Sequence, residues 1–173
     1  PGVMKQFHSI YPNVDLQMIM EGTHYPLQKL LSGELHLAIT SDPIKDDKIK
    51  YAELFQDEML AVVPAGHEWT EKKYVQPEDF ESENLIIHSL PLETVTVHEF
   101  FLKPAKVSPK KVIPVPLTEA AIEMVKADMG VIVMAKWSLK NYLADDQLRA
   151  VKIGRHGLKR KHYMAVLKNK KYP

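Results

Sequence analysis

Cysteine is absent from this chain of 173 residues. That excludes disulfides, thiol nucleophiles and thiolate metal sites, and it accords with a cytoplasmic setting. Arginine is nearly absent too: Arg149, Arg155 and Arg160 are the only ones, all late. An arginine clamp on a carboxylate is therefore not expected near the early strands. No apolar run approaches the roughly 18–20 residues of a membrane-spanning helix, and no secretion signal is visible. The charges nearly cancel, with a formal net charge of +1, so no global field draws in nucleic acid or an anionic membrane. Glycine-rich phosphate loops and the nucleophile elbow are missing. Eight histidines (His8, His24, His36, His67, His88, His98, His156 and His162) form no HExxH motif, so no metal site is expected, and no cofactor. Asp46-Asp47 and Asp145-Asp146 are sequence neighbours whose side chains point apart, a poor arrangement for acid–base work. Nothing in the chain demands an enzyme.

What is present is an ordinary globular composition, 45% hydrophobic and 26% charged. A chain of this length buries a good core, as one domain or two small lobes. The organising stretch is Val14 to Thr40. Val14, Leu16, Met18 and Met20 alternate with mostly polar neighbours, predicting a strand over 14–20. Gly22-Thr23 closes it. Thr23 is placed to cap a helix that has Pro26 in its first turn, Leu27, Leu30 and Leu31 on one face, and Gly33 as its stop. Leu35 to Thr40 is nearly continuously apolar, as a strand buried on both faces requires. The pattern predicts a β-α-β unit of a parallel sheet. In such sheets ligands sit beyond the carboxyl ends of strands, near helix starts.

Around this unit, Met4, Phe7, Ile10 and Tyr11 share a face of a helix near 2–11. Strands are predicted over 49–55 and 59–63, a short helical turn at Pro77–Phe80, and a strand over 85–88 ending in Ser89. Helix is predicted over 93–102, and a short strand over 112–115. Thr118 opens the clearest helix of the second half, with Ala120, Ala121, Met124 and Val125 inward. A buried strand over 131–134, a helix over 136–143 and strands over 148–153 and 158–167 complete the pattern. The basic residues of 155–161 and 168–171 read as a solvated strand face.

The wording of several segments resembles one family. Tyr11-Pro12-Asn13-Val14-Asp15-Leu16, then Gly22-Thr23, then Leu31-Ser32-Gly33-Glu34-Leu35-His36-Leu37-Ala38-Ile39 is similar to the effector-binding domain of LysR-type transcriptional regulators, with His36 where that family usually has aspartate. Leu60 to His67 and Ala127-Asp128-Met129-Gly130-Val131 resemble it further, with Asp128 in place of the usual glycine. Phe101 to Ala105, Leu117 to Val125 and Met134-Ala135-Lys136-Trp137 resemble the branch of the family that controls methionine biosynthesis.

The resemblance implies an α/β architecture of two Rossmann-like lobes, of the type 2 periplasmic-binding-protein kind, with a cleft between them. Lobe I is expected over 1–63 with 144–173 returning to it, and lobe II over 64–143. A winged helix-turn-helix DNA-binding domain is expected to precede the chain, which opens on Pro1 without a methionine. The resemblance further implies a co-inducer sensor of homocysteine, acting as a homodimer or homotetramer that meets DNA only through that other domain, with no membrane partner. A solute-binding protein of a transporter, or an enzyme on the same fold, are the rival readings.

The hydroxyls carry the site expectation. Backbone N–H groups at a helix start, with a hydroxyl beside them, suit a small anionic or zwitterionic ligand. The candidate ligand-binding residues are Thr23, His24, Thr40, Ser41, His88, Ser89, Thr118, Met134 and Ala135, with Glu21 or Glu119 available for an ammonium group. The candidate dimer surface is Met4, Phe7, Tyr11, Leu16 and Met18.

Overall fold

The computed structural model describes residues 2–19, 25–144 and 146–168. They belong to two compact units, Pro1–Leu54 with His162–Pro173, and Phe55–Lys161.

The first unit holds helices α1 (Gly2–Ile10) and α2 (Pro26–Ser32) and strand β1 (Ala38–Thr40). It also contains the first residues of β2 (Ile49–Pro64) and the last of β7 (Leu158–Leu167). Pro26 sits at the first position of α2, where its missing N–H has no partner to lose. Gly33 ends the helix in the left-handed conformation, φ 85°, and its N–H reaches Leu30 O. The expected N-cap was Thr23; that position belongs to Tyr25, whose side chain makes no capping bond, and Thr23 lies outside the described residues. Leu27 and Leu30 are buried with Ala38, Ile49 and Ala165, whereas Leu31 turns outward.

The β-α-β expectation is corrected here. None of residues 14–19 enters a ladder, so the strand predicted over 14–20 does not form in its described part. Alternation is not enough for a strand; its backbone N–H and C=O groups need a neighbour to pair with. The segment predicted as a strand buried on both faces is a short strand, β1, running antiparallel to β7 with Ala38 opposite Ala165 and Thr40 opposite Tyr163. Its Ala38 and Thr40 are buried, but Ile39 is 62% exposed. One face only is covered.

The second unit is a mixed sheet. Its strands are the rest of β2, β3 (Asn84–Ile87), β4 (Lys111–Pro114), β5 (Val131–Ala135), β6 (Leu148–Lys152) and the first residues of β7, with β6-β2-β5-β3-β4 side by side in that order. β3 runs parallel to β4 and β5, while β2 is antiparallel to β5 and β6. Side chains alternate across the pleat. Ala61, Val63, Leu85, Ile87 and Val131 face one core with Trp69, Phe80 and Leu102. Val62, Ile86, Ile132 and Met134 face the other, covered by Ala121, Ile122 and Val125 of α3 (Thr118–Lys126). This two-sided burial is why these strands read as continuous apolar runs.

The strands predicted over 49–55 and 59–63 are one uninterrupted strand, β2. The predicted helix over 93–102 is a π-helical stretch, His98–Leu102, continued by Lys103–Ala105. The helix predicted over 136–143 is instead a single 3₁₀ turn, Lys136–Ser138, followed by turns. Only Leu139 there is fully buried, and short helices persist through the packing of an apolar face rather than through propensity.

Candidate functional site

β3, β4 and β5 are mutually parallel or share a parallel neighbour, so their carboxyl ends lie on one side of the sheet. At those ends lie His88-Ser89, the segment leading to Thr118, and Ala135, the last residue of β5. A cavity of about 660 Å³ opens there, within the second unit. His88, Ser89, Thr118, Met134 and Ala135 all line it. Leu85, Ile86, Ile132 and Val133 also line it.

Local structure sets each polar group. His88 is half-buried, and its Nδ1 lies 3.4 Å from Val115 O. Thr118 is the first residue of α3 rather than its cap. The N-cap is Leu117, which has no side-chain acceptor. This corrects the expectation of a capping hydroxyl. It leaves the Thr118 hydroxyl at the cavity wall beside the open N–H groups of the helix's first turn. Ser138 and Thr94 also line the cavity, but each donates to a backbone carbonyl, Ala135 O and Pro91 O, both at 2.7 Å.

The other expected site residues are found elsewhere in the chain. Thr23 and His24, with Glu21, lie outside the described residues. Thr40 and Ser41 belong to the first unit. Thr40 Oγ1 accepts from the N–H of Asp42 at 3.1 Å, and Ser41 Oγ donates to the Asp42 carboxylate at 2.9 Å, a local turn at the end of β1. Glu119 is exposed and does not line the cavity.

Sequence reasoning missed Thr96, Lys140 and Arg160, all of which line the cavity. Arg160 Nη1 donates to Thr96 Oγ1 at 3.1 Å across 64 positions of chain. The expectation of a solvated basic face over 155–161 fails at this residue. On β7, Leu158, Arg160 and His162 turn inward while Lys159 and Lys161 face solvent. That period-two pattern was the available signal.

A mixed α/β sheet with a cavity at the carboxyl ends of its parallel strands, lined by both hydrocarbon and polar side chains, defines a small-molecule-binding domain. The chain belongs to the LysR substrate binding domain family, whose model matches residues 1–173. Its fold is accordingly the type 2 periplasmic-binding-protein-like fold of LysR regulatory domains. Over 139 residues it is 32% identical to the HTH-type transcriptional regulator MetR of Escherichia coli (strain K12), covering 80% of this chain and 44% of that protein. To MetR of Haemophilus influenzae it is 28% identical over 166 residues, covering 95% and 53%. The chain thus spans about half the length of the curated relatives it matches. It is similar in structure to the regulatory domain of MetR, a LysR family regulator from N. meningitidis: TM-score 0.87, 28% identity, covering 96% of this chain and 77% of the other. The CcmR regulatory domain of Synechocystis PCC6803 shares the fold, at TM-score 0.84 and 18% identity, covering 100% of this chain and 83% of that one.

Proposed function

We propose that this effector-binding domain is the sensing part of a transcriptional regulator of methionine-biosynthesis genes, and that its effector is homocysteine. The observation that carries the binding reading is the convergence of Ser89, Thr118 and the ends of β3 and β5 on one cavity. The homology to regulators named MetR supports the pathway. On this reading the domain binds its ligand without turning it over, and works in the cytoplasm as a homodimer or homotetramer. DNA is contacted by a separate winged helix-turn-helix domain of the same polypeptide. Thr23 and His24 are assigned to ligand binding from the sequence alone. The effector acts by binding one conformational state of the regulator more tightly than the other, since equal affinity for both shifts nothing.

The surface assigned to self-association is α1 with the segment after it. Met4 is 53% and Met18 82% exposed, and Tyr11 and Leu16 are exposed as well. The rings of Phe7 and Tyr11 pack in a tilted arrangement, centroids 5.1 Å apart and planes at 42°. Exposed apolar side chains of this kind favour a protein partner.

Calorimetric titration with homocysteine, using methionine and cysteine as controls, tests the ligand. Saturable binding selective for homocysteine is expected. Thr118→Val and Thr23→Val should each weaken it by roughly 3- to 10-fold, the worth of a neutral hydrogen bond. Unchanged affinity in both folded variants would remove the pocket assignment.

A further inference from the structure

We propose that the cavity contains an anion subsite built on Arg160, which takes the carboxylate of a small organic acid and makes no demand for an ammonium group. The inference rests on reading this cavity as the effector pocket.

Arg160 is half-buried on β7, and Thr96, the hydroxyl that holds its guanidinium, is 8% exposed. A planar, permanently charged head held against a buried anchor is ordered before a ligand arrives, so little side-chain freedom is lost on binding. Lys140 and His88 line the same cavity. Among the described residues that line it, none is Asp or Glu. Asp57, which accepts from the Trp137 backbone N–H at 3.5 Å, is not one of them. The Thr118 hydroxyl and the first-turn N–H groups of α3 add donors. Arg160 and Lys140 carry positive charge, and Leu85, Ile86, Ile132 and Val133 supply apolar lining. A negative ligand group gains from these charges, whereas a ligand ammonium meets cations. The matching chemistry is a short carboxylic acid with an apolar or sulfur-bearing tail.

The test titrates the chain with homocysteine, with its des-amino analogue 4-sulfanylbutanoate, with its decarboxylated analogue 3-sulfanylpropan-1-amine, and with a series of short monocarboxylates. Trp137 at the cavity wall provides a fluorescence readout alongside the heat signal. The des-amino acid should bind within about 3-fold of homocysteine, and the amine should not bind measurably. Arg160→Gln should weaken the acids by roughly 10- to 100-fold, the worth of a hydrogen bond to a charged group. Arg160→Lys, which keeps the charge, should lose less, and Thr96→Val should fall between wild type and Arg160→Gln. If homocysteine fails but another carboxylate binds in an Arg160-dependent way, the ligand assignment falls and the anion subsite stands. Tight binding of the amine, acid binding indifferent to Arg160→Gln and Arg160→Lys, or no response to any carboxylate would each overturn the proposal.

Discussion

Lys159 and Arg160 are neighbours in sequence and opposites in environment: one faces solvent, the other reaches a buried threonine. Charge alone does not tell them apart. Only the pleat of β7, which sends successive side chains to opposite faces, does so. Glu34 is a simpler case, legible from its neighbours. Lys29 Nζ donates to its carboxylate at 2.8 Å and Ser32 Oγ at 3.0 Å. The hydrogen bond from Lys29, then that from Ser32, hold the Glu34 carboxyl below its ordinary value. Because folding favours the charged form, this group contributes stability above the ordinary carboxylate range. That contribution fades as pH falls through the lowered value. NMR titration of the Glu34 side-chain carbon should therefore give a depressed pKa, and Lys29→Met should move it back up; no movement would show that Lys29 is not its cause.

At the scale of elements, the turn between α3 and β5 shows how local and distant demands combine. The helix ends through Asp128, which holds φ 56°, a conformation aspartate tolerates better than most residues. Gly130 follows at φ 155°, and a Cβ built on it would lie 2.5 Å from Asn84 O. Asn84 Nδ2 donates to Met129 O at 3.0 Å, pinning the same turn to β3. Glycine is required there because another strand's backbone occupies the space a side chain would need. Gly130→Ala should cost about 2–4 kcal/mol, from backbone strain together with displacement of β3. Urea unfolding followed through Trp69 fluorescence would measure it, and a loss under about 1 kcal/mol, the ordinary scale of a neutral replacement, would show that the turn relaxes freely. The contrast with 14–19 is instructive. Both segments carry a strand-like or turn-like signature, but only one has a partner whose backbone enforces it.

For the whole molecule, the exposed apolar residues Met4, Tyr11, Leu16 and Met18 are what a second copy would cover on the reading proposed above. Met18→Asp would place a charge in that contact at a desolvation cost. Sedimentation equilibrium should find the variant as monomer where the wild type associates. Unchanged association would send the contact elsewhere. The sequence by itself determined the buried strand over 131–134, the Gly33 stop of α2 and the hydroxyl at the start of α3. Each follows from periodicity, backbone preference or spacing within a few residues. It also carried the family through the wording of 11–16 and 31–39. Only the tertiary structure decided that β1 pairs antiparallel with β7, that 49–64 is one strand, and that Arg160 meets Thr96 at the cavity. The reason is physical. Strand partners and the far side of a cavity lie scores of residues away, and a strand's own alternation says which face is buried but not what covers it.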